Sequence, residues 1–570
     1  MRWRRRCSIA PLALLASSLA AQESPISSDS PRKLAARTDL VLVPVIVTDK
    51  SGHSLSGLAK EAFRLEQDGK PRPLALFEET HTQKLTVFPG ASPTTFSNFV
   101  PNDDHLRLTI FVIDMLNTSW LRQFEAKKQL TDYLLRLASR QEPMALFGLN
   151  ASGLRQLHPL TTDPRVLIVA LQKLKLSLSS EERTQPPATL TDDPTMDAQA
   201  TLEEQLTSDM LQDLTDTMVA DYQRIATRQT LAALTQLAHA LETAPGRKTL
   251  IWATAGFPFT IDDPNAFARQ GDDLRPEYEA AWRSLNSSNI AVYPVDLGSA
   301  DFKPKALPSA NATVSRAQIN TIRGANGTGL RSPISLPYDQ GVQQRLTMHA
   351  FADATGGRAC ITIAEIDKCF TEAIDDASAY YLLGYYLGGD TQPGWRKLKV
   401  KVAGEGLHIR SRSGFFVAPR SSDTPEQRRQ DLVDALASVV QYTGLRLTAR
   451  VAPDPDATVA AASASPNQAR PVAFLLGVMG DSINVDRDKG NAVDIQITTL
   501  AFNNNRKSVA SSSLELNTSF KSELLQKILQ TGLGIPVKLD LPPGKYEIKF
   551  AVRDNSTGLI GTVSLPLDLK

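Results

Sequence analysis

The segment Leu108–Asp114 is apolar at almost every position and ends in a carboxylate. A strand without polar alternation is buried on both faces, and such strands are typical of parallel sheets covered by helices. Similar apolar runs follow at 144–149, 249–254 and 290–296, and segments with helical spacing lie between them. This alternation predicts an α/β fold with a central Rossmann-like, doubly wound sheet.

Alternating strand-like segments flank the predicted α/β domain, which indicates small all-β modules on either side. The predicted units are, in chain order, an N-terminal β module (38–82), a linker rich in Pro, Ser, Thr and Asn (83–105), the α/β domain (106–418) with insertions at 177–218 and 299–340, and a C-terminal helix followed by a β-sandwich-like domain (424–570). The chain is therefore expected to contain three domains.

The first 21 residues have the pattern of a secretory signal peptide. Arginines precede a short apolar run from Cys7 to Leu19, and Ser18-Leu19-Ala20 places small residues before the predicted cleavage site. The run is shorter than the roughly 20 residues that a spanning helix needs. The sequence therefore predicts export to the periplasm, cell surface or medium, with no transmembrane segment in the mature chain.

Charge excludes one large class of partners. The chain has 62 Lys and Arg against 61 Asp and Glu, a formal net charge of +1, so it is not a globally basic nucleic-acid binder. Residues 181–216 hold ten acidic residues and a single arginine. Two interpretations of this insertion stay open, a solvated loop and a loop that docks a cation or a partner.

Cys360 and Cys369 are the cysteines that remain after removal of the signal peptide. Exported proteins meet an oxidising environment, so a disulfide between them is predicted. The alternative is a pair of buried thiols.

The turn after the first apolar strand reads Asp114-Met115-Leu116-Asn117-Thr118-Ser119. It resembles the start of the metal-ion-dependent adhesion site of von Willebrand factor type A domains, Asp-x-Ser-x-Ser, which binds Mg²⁺ through hard oxygen ligands. Asp114 matches the acid and Thr118 the second hydroxyl, but Leu116 replaces the first. The resemblance implies that a further threonine, Thr161 or Thr162, completes the metal site.

The last acid of that family's site follows a later strand, where this sequence has Thr254-Ala255-Gly256 with alanine in the acid's place. A site without one hydroxyl and one carboxylate binds Mg²⁺ weakly. Two alternatives therefore stay open: a weak magnesium or calcium site formed by Asp114, Thr118 and Thr161, or a metal-free turn in which Asn117 caps the following helix. No other cofactor is expected.

Further segments strengthen the resemblance, and their order along the chain is VPVIVTD (43–49), GRKTLIW (246–252), IAVYPVD (290–296), TGGR (355–358) and YYLLGY (380–385). Together they resemble a group of exported bacterial proteins called VWFA-related, of the Acidobacteria type. The similarity covers about residues 40–418. It implies a Rossmann-like core, export, a degenerate adhesion site and no established activity.

The motifs of common enzyme classes are missing from the sequence, including His-Glu-x-x-His, a phosphate loop and Gly-x-Ser-x-Gly, so no catalytic residue is assigned. The expected function is binding or adhesion to a protein or cell-envelope ligand at the top of the α/β domain. The predicted contact residues are Asp114, Asn117, Thr118, Ser119, Thr162, Gly256 and Phe257. The alternatives are a structural scaffold with an inert α/β domain, and an envelope-acting hydrolase that uses Asp114.

Three lysines alternate along one predicted strand, Lys397, Lys399 and Lys401, and therefore lie on one face. One interpretation is a charged edge that prevents strand pairing between molecules. The other is a stripe that binds anions.

Overall fold

A computed structural model describes residues 40–81, 95–98, 108–137, 143–179, 202–242, 244, 246–256, 274–296, 337–361, 366–388, 391–417, 424–452, 469–487 and 490–569. The predicted signal peptide, Phe257 and residues 181–201 of the acidic insertion lie outside these ranges. Among the helices that the structure describes, none combines the length and apolar character that a membrane crossing requires.

The central sheet contains the apolar runs predicted from the sequence. Its strands are β6 (Leu108–Asp114), β7 (Met144–Asn150), β8 (Gly153–Thr161), β9 (Lys248–Ala253) and β10 (Ile290–Val295). They lie in the order β8-β7-β6-β9-β10, and all are parallel except β8, which returns antiparallel to β7. The strands β6, β7, β9 and β10 therefore end at one edge, called the carboxyl edge below.

Helices cover both faces of this sheet because successive strand residues point to opposite sides. Ile110 and Val112 pack toward one group of helices, and Phe111 and Ile113 pack toward the other. The first group is α3 (Leu202–Ala240), α4 (Arg275–Ser287) and α5 (Pro337–Thr355), and the second is α1 (Trp120–Arg136), α2 (Pro164–Lys173) and α6 (Ile366–Asp375). The prediction of an α/β fold accompanied by β modules is confirmed at this level.

The N-terminal strands form sheets with strands from the far end of the predicted α/β domain. The strands concerned are β1 (Leu40–Thr48), β2 (Phe63–Gln67), β3 (Lys70–Arg72), β4 (Leu76–His81), β11 (Ala379–Tyr386), β12 (Gly394–Val402), β13 (His408–Ser411) and β14 (Gly414–Val417). They form two sheets, β13-β1-β11-β4 and β14-β12-β2-β3, which share one apolar core. The predicted boundary at residue 418 therefore groups β11–β14 with the α/β domain, whereas these strands pair with the N-terminal module.

The C-terminal region contains helix α7 (Pro425–Ala437), then strands and one further helix around a separate core. These elements are β15 (Leu447–Val451), β16 (Arg470–Val478), β17 (Ala492–Asn503), β18 (Ser508–Ser519), α8 (Ser522–Thr531), β19 (Leu533–Leu541), β20 (Gly544–Asp554) and β21 (Ile560–Leu569). Its sheets are β19-β16-β15-β5 and β18-β17-β20-β21, where β5 is Phe96–Ser97. The predicted linker therefore contributes a strand to this domain, and the buried Asn98 accepts a hydrogen bond from the Leu447 amide (2.7 Å).

Cys360 and Cys369 form a disulfide with their Cα atoms 6.2 Å apart. Cys360 extends the central sheet, since its amide donates to the Pro294 carbonyl (2.8 Å) and its carbonyl accepts from the Asp296 amide (2.8 Å). Cys369 lies in α6, which covers one face of the sheet. The disulfide thus ties this helix to the edge of the sheet.

A polar junction joins the α/β domain to the N-terminal β sheets. The carboxylate of Asp376, just after α6, accepts hydrogen bonds from the Tyr293 hydroxyl (2.6 Å, β10) and from the Arg410 guanidinium (2.6 Å, β13). Nearby, Arg247 donates to the Gly356 carbonyl (2.6 Å) in the turn after α5. Gly357 of this turn lies directly against the backbone of Val292 in β10. The hydrogen bonds of Asp376 therefore join the two units, and the turn at Gly356 and Gly357 is held against β10 on one side and against the Arg412 backbone on the other.

Replacing Gly357 with alanine tests this backbone approach. A Cβ at Gly357 would overlap the carbonyl oxygen of Val292, so Gly357→Ala should lower the free energy of unfolding by about 3 kcal/mol. Urea unfolding measures the change. Gly388→Ala is the matched control, because a Cβ at Gly388 meets no atom within 4 Å. Equal stability of the two variants would contradict the packing described.

Candidate functional site

Asp114 ends β6 at the carboxyl edge and is fully buried. Its Oδ1 accepts hydrogen bonds from the amides of Leu116 (3.1 Å) and Asn117 (3.0 Å). Its Oδ2 accepts from the Asn117 side-chain amide (2.9 Å) and from the Thr254 hydroxyl (2.8 Å). Both carboxylate oxygens therefore face donors that belong to this chain.

Hydrogen bonds tie two separate segments, α3 and the turn after β9, to the Asp114 turn, residues 114–119. Asn117 also donates to the Thr230 hydroxyl in α3 (2.8 Å). Thr254, just after β9, accepts from the Gly256 amide (2.9 Å), and Thr118 accepts from the Ala255 amide (3.1 Å). The predicted residues Asp114, Asn117, Thr118 and Gly256 therefore lie together.

The start of α1 is held by a glutamine that the sequence analysis did not single out. The Nε2 of the buried Gln123 shares its two N–H donors among the carbonyls of Met115 (3.1 Å), Thr118 (2.6 Å) and Ser177 (2.7 Å). Ser119 is the residue before α1, and its side chain makes no capping hydrogen bond. Gln123 is a polar residue on the apolar face of a helix, and this pattern could have identified it from the sequence. The same pattern marks Thr230 in α3.

Burial raises the pKa of the Asp114 carboxyl above 3.8, and the hydrogen bonds from Asn117, Thr254 and Leu116 oppose this effect. The loss of hydration therefore outweighs the stabilisation of the charged form by its donors. A ligand cation at this carboxylate would act in the opposite direction and lower the pKa.

Gly256 is covered by a helix and does not lie at an open surface. Its φ is +75°, and a Cβ there would lie 2.5 Å from the Gln344 carbonyl oxygen of α5. Only glycine fits this conformation and this distance without strain. Helix α5 therefore packs over the turn after β9.

Thr161 and Thr162 do not lie near Asp114, which corrects their assignment to the same site. Thr161 pairs with Met144 at the start of β7, whereas Asp114 pairs with Leu149 at its end. Five residues of strand separate the two positions, about 16 Å. The reason is that β8 runs antiparallel and returns the chain to the opposite edge, where the Thr161 hydroxyl accepts from the Asp163 amide (3.2 Å).

The residues at the Asp114 turn do not fit a magnesium or calcium ion. Such an ion needs several oxygen ligands with free lone pairs facing it, whereas the oxygens of Asp114 face N–H and O–H donors. Thr161, the third predicted ligand, lies at the other edge of the sheet. Within the ranges given above, no three His, Cys, Asp or Glu side chains gather as a metal-binding group.

Comparison with known proteins adds no functional assignment. No protein-family model matches the sequence, and no curated protein matches it. Similar solved structures include a beta-glucuronidase from glycoside hydrolase family 2, at 12% identity and a TM-score of 0.14 over 21% of this chain and 11% of that chain. Another is the Bacteroides uniformis beta-glucuronidase, at 7% identity and a TM-score of 0.15 over 33% and 19%. The chain thus spans less than a fifth of either structure, and TM-scores this low carry no argument.

Thr254 offers a direct test of the hydrogen-bonded turn. Thr254→Val keeps the shape but removes the donor to Asp114 and the acceptor for Gly256, so the free energy of unfolding should fall by about 1–3 kcal/mol. Thr254→Ser keeps both hydrogen bonds and should cost less than the valine variant. Urea unfolding compares the two. A valine variant as stable as the serine variant would contradict the role of the hydroxyl.

Proposed function

We propose that this chain is an exported binding protein without enzymatic activity, and that its central unit is a Rossmann-like, von Willebrand A-like domain. The strand order of the central sheet, 3-2-1-4-5 when its strands are numbered along the chain, supports this assignment, because doubly wound dinucleotide-binding sheets use the same order. The segments that resemble VWFA-related proteins support it independently. The signal-like N-terminus and the Cys360–Cys369 disulfide support export.

The proposed ligand is a protein or a cell-envelope component, bound at the carboxyl edge of the central sheet. The observation that carries the proposal is a set of exposed apolar side chains beside the closed Asp114 turn. In the first two turns of α1, Trp120, Leu121 and Phe124 are 48%, 63% and 54% exposed. Large apolar side chains grouped on a surface mark sites of interaction.

Helix α3 adds apolar side chains on the other side of the turn. Met218, Tyr222 and Ile225 are exposed and follow helical spacing, so they lie on one face. They precede Thr230, which contacts the Asp114 turn, by five to twelve residues, so this part of α3 extends about 8–18 Å beyond that contact. Together the two helices flank the carboxyl edge with apolar surface.

A hydrolase that uses Asp114 is less well supported. A general base or nucleophile needs a free lone pair and access to substrate, and the Asp114 oxygens have four donors and no exposed surface. A second acid, Asp163, caps α2 beside Thr161 at the opposite edge. The closed turn does favour the scaffold alternative, in which the α/β domain binds nothing.

Ligand capture from an envelope extract distinguishes binding at this edge from a scaffold role. The paired change Leu121→Ser and Phe124→Ser should reduce capture of the ligand about tenfold, because central apolar contacts dominate interface energies. Its melting temperature should stay unchanged, since both side chains are exposed. Leu135→Ser is the matched control, as Leu135 is 57% exposed at the far end of the same helix. Equal capture by both variants would favour the scaffold.

A further inference from the structure

A second candidate site lies away from the carboxyl edge, where the α/β domain meets β12 and β13. A cavity of about 450 Å³ opens there between the end of α5, the turn after it and these strands. Four cationic side chains line it, namely Arg358, Lys399, Arg410 and Arg412. Its volume lies within the range of small-ligand sites, roughly 300–1,000 Å³.

Two of these cations already have carboxylate partners. Arg410 forms a bidentate pair with Asp376, and Arg358 pairs with Glu372. Lys399 and Arg412 remain. Lys399 lies opposite Glu66 in the β2–β12 pairing, but Glu66 also pairs with Lys401, so one carboxylate faces two lysines. The lining itself adds one carboxylate, that of Asp353. The cavity therefore keeps an excess of positive charge after the paired groups are set aside.

Arg412 is the unusual member of this set, because it is only 7% exposed. Among the described residues, its guanidinium donates one hydrogen bond, from Nη2 to the Leu42 carbonyl, and its buried Nε has no acceptor. Burial lowers the pKa of Arg412 to about 10. A guanidinium has five N–H donors, and the Phe415 ring, 5.6 Å from the Arg412 guanidinium carbon, accepts no conventional hydrogen bond. Leaving the remaining donors unpaired away from water costs stability that an anion would restore.

Lys399 shows which of the three alternating lysines faces this cavity. Lys401 pairs with Glu66, and Lys397 is not part of the lining, whereas Lys399 is. Ser411 and Ser413 add hydroxyl groups to the same wall. Of the three alternating lysines, Lys399 alone lines the cavity. Lys397, two residues earlier on the same strand, therefore provides a matched control.

We propose that this cavity binds the oxyanion group, carboxylate or phosphate, of a small-molecule ligand. The group lies between Arg412 and Lys399 and accepts hydrogen bonds from the spare guanidinium donors. The guanidinium of arginine presents its N–H donors in a fixed plane, an arrangement that matches the oxygens of a carboxylate or of a phosphate. The site is independent of the surface proposed at the carboxyl edge, so either assignment stands without the other.

Isothermal titration of the full chain with inorganic phosphate and with acetate, at matched ionic strength, tests the proposal. At least one of the two anions should bind the wild type. Binding of only one of them would identify the group, phosphate or carboxylate, that the cavity prefers. Lys399→Gln should weaken binding about threefold, as expected for an exposed charge, and Lys397→Gln should leave it unchanged. Arg412→Met should weaken binding at least about tenfold.

If Arg412→Met fails to fold, the two lysine variants still test the proposal. Lys399 is exposed, so its replacement leaves the core intact. Circular dichroism checks the fold of each variant. Absence of heat with both anions on the wild type would overturn the proposal. Equal affinities for the Lys399→Gln and Lys397→Gln variants would also overturn it.

Discussion

The carboxylate of Asp114 constrains the carboxyl edge of the central sheet. A buried carboxylate is tolerated only when donors surround it, and here the donors come from the turn itself and from the end of β9. The Asn117 side chain donates both to Asp114 and to the Thr230 hydroxyl, so it links this acid to α3. The hydrogen-bonding requirement of the Asp114 carboxylate therefore determines the conformation of this edge. The segments that meet it, the Asp114 turn and the end of β9, are far apart in the sequence.

A second buried acid performs the same task between units. Asp376 holds Tyr293 of the central sheet and Arg410 of the β sheets, and Arg247 holds the turn at Gly356. Arg247, Tyr293 and Gly356 lie in three of the segments on which the proposed resemblance to VWFA-related proteins rests, residues 246–252, 290–296 and 355–358. The structure thus gives those segments a physical role, because they meet where the α/β domain contacts the β sheets. The cationic cavity lies at this same junction.

Local patterns in the sequence predicted much of the central sheet, because apolar runs report burial directly. The pairing of β1 with β11 could not be predicted, since hydrogen bonds between strands some 340 residues apart leave no local pattern. Thr161 was assigned to the wrong edge because the hairpin between β7 and β8, around Gly153, was not recognised. The partners of Asp114 were only partly foreseen: the sequence analysis noted Thr254 for the acid missing beside it, not for its hydroxyl.

The pH dependence of stability tests most directly whether Asp114 is a metal-free structural acid. The quantity is the free energy of unfolding of the wild type minus that of Asp114→Asn, measured once with a chelator and once with excess Mg²⁺, and the two series should agree. Burial raises the folded pKa above the unfolded value of 3.8, so the folded state binds more protons between these pKa values. The difference should therefore fall as pH rises through this window and stay level above it. A difference that rises with pH would mean a lowered folded pKa and would contradict the account.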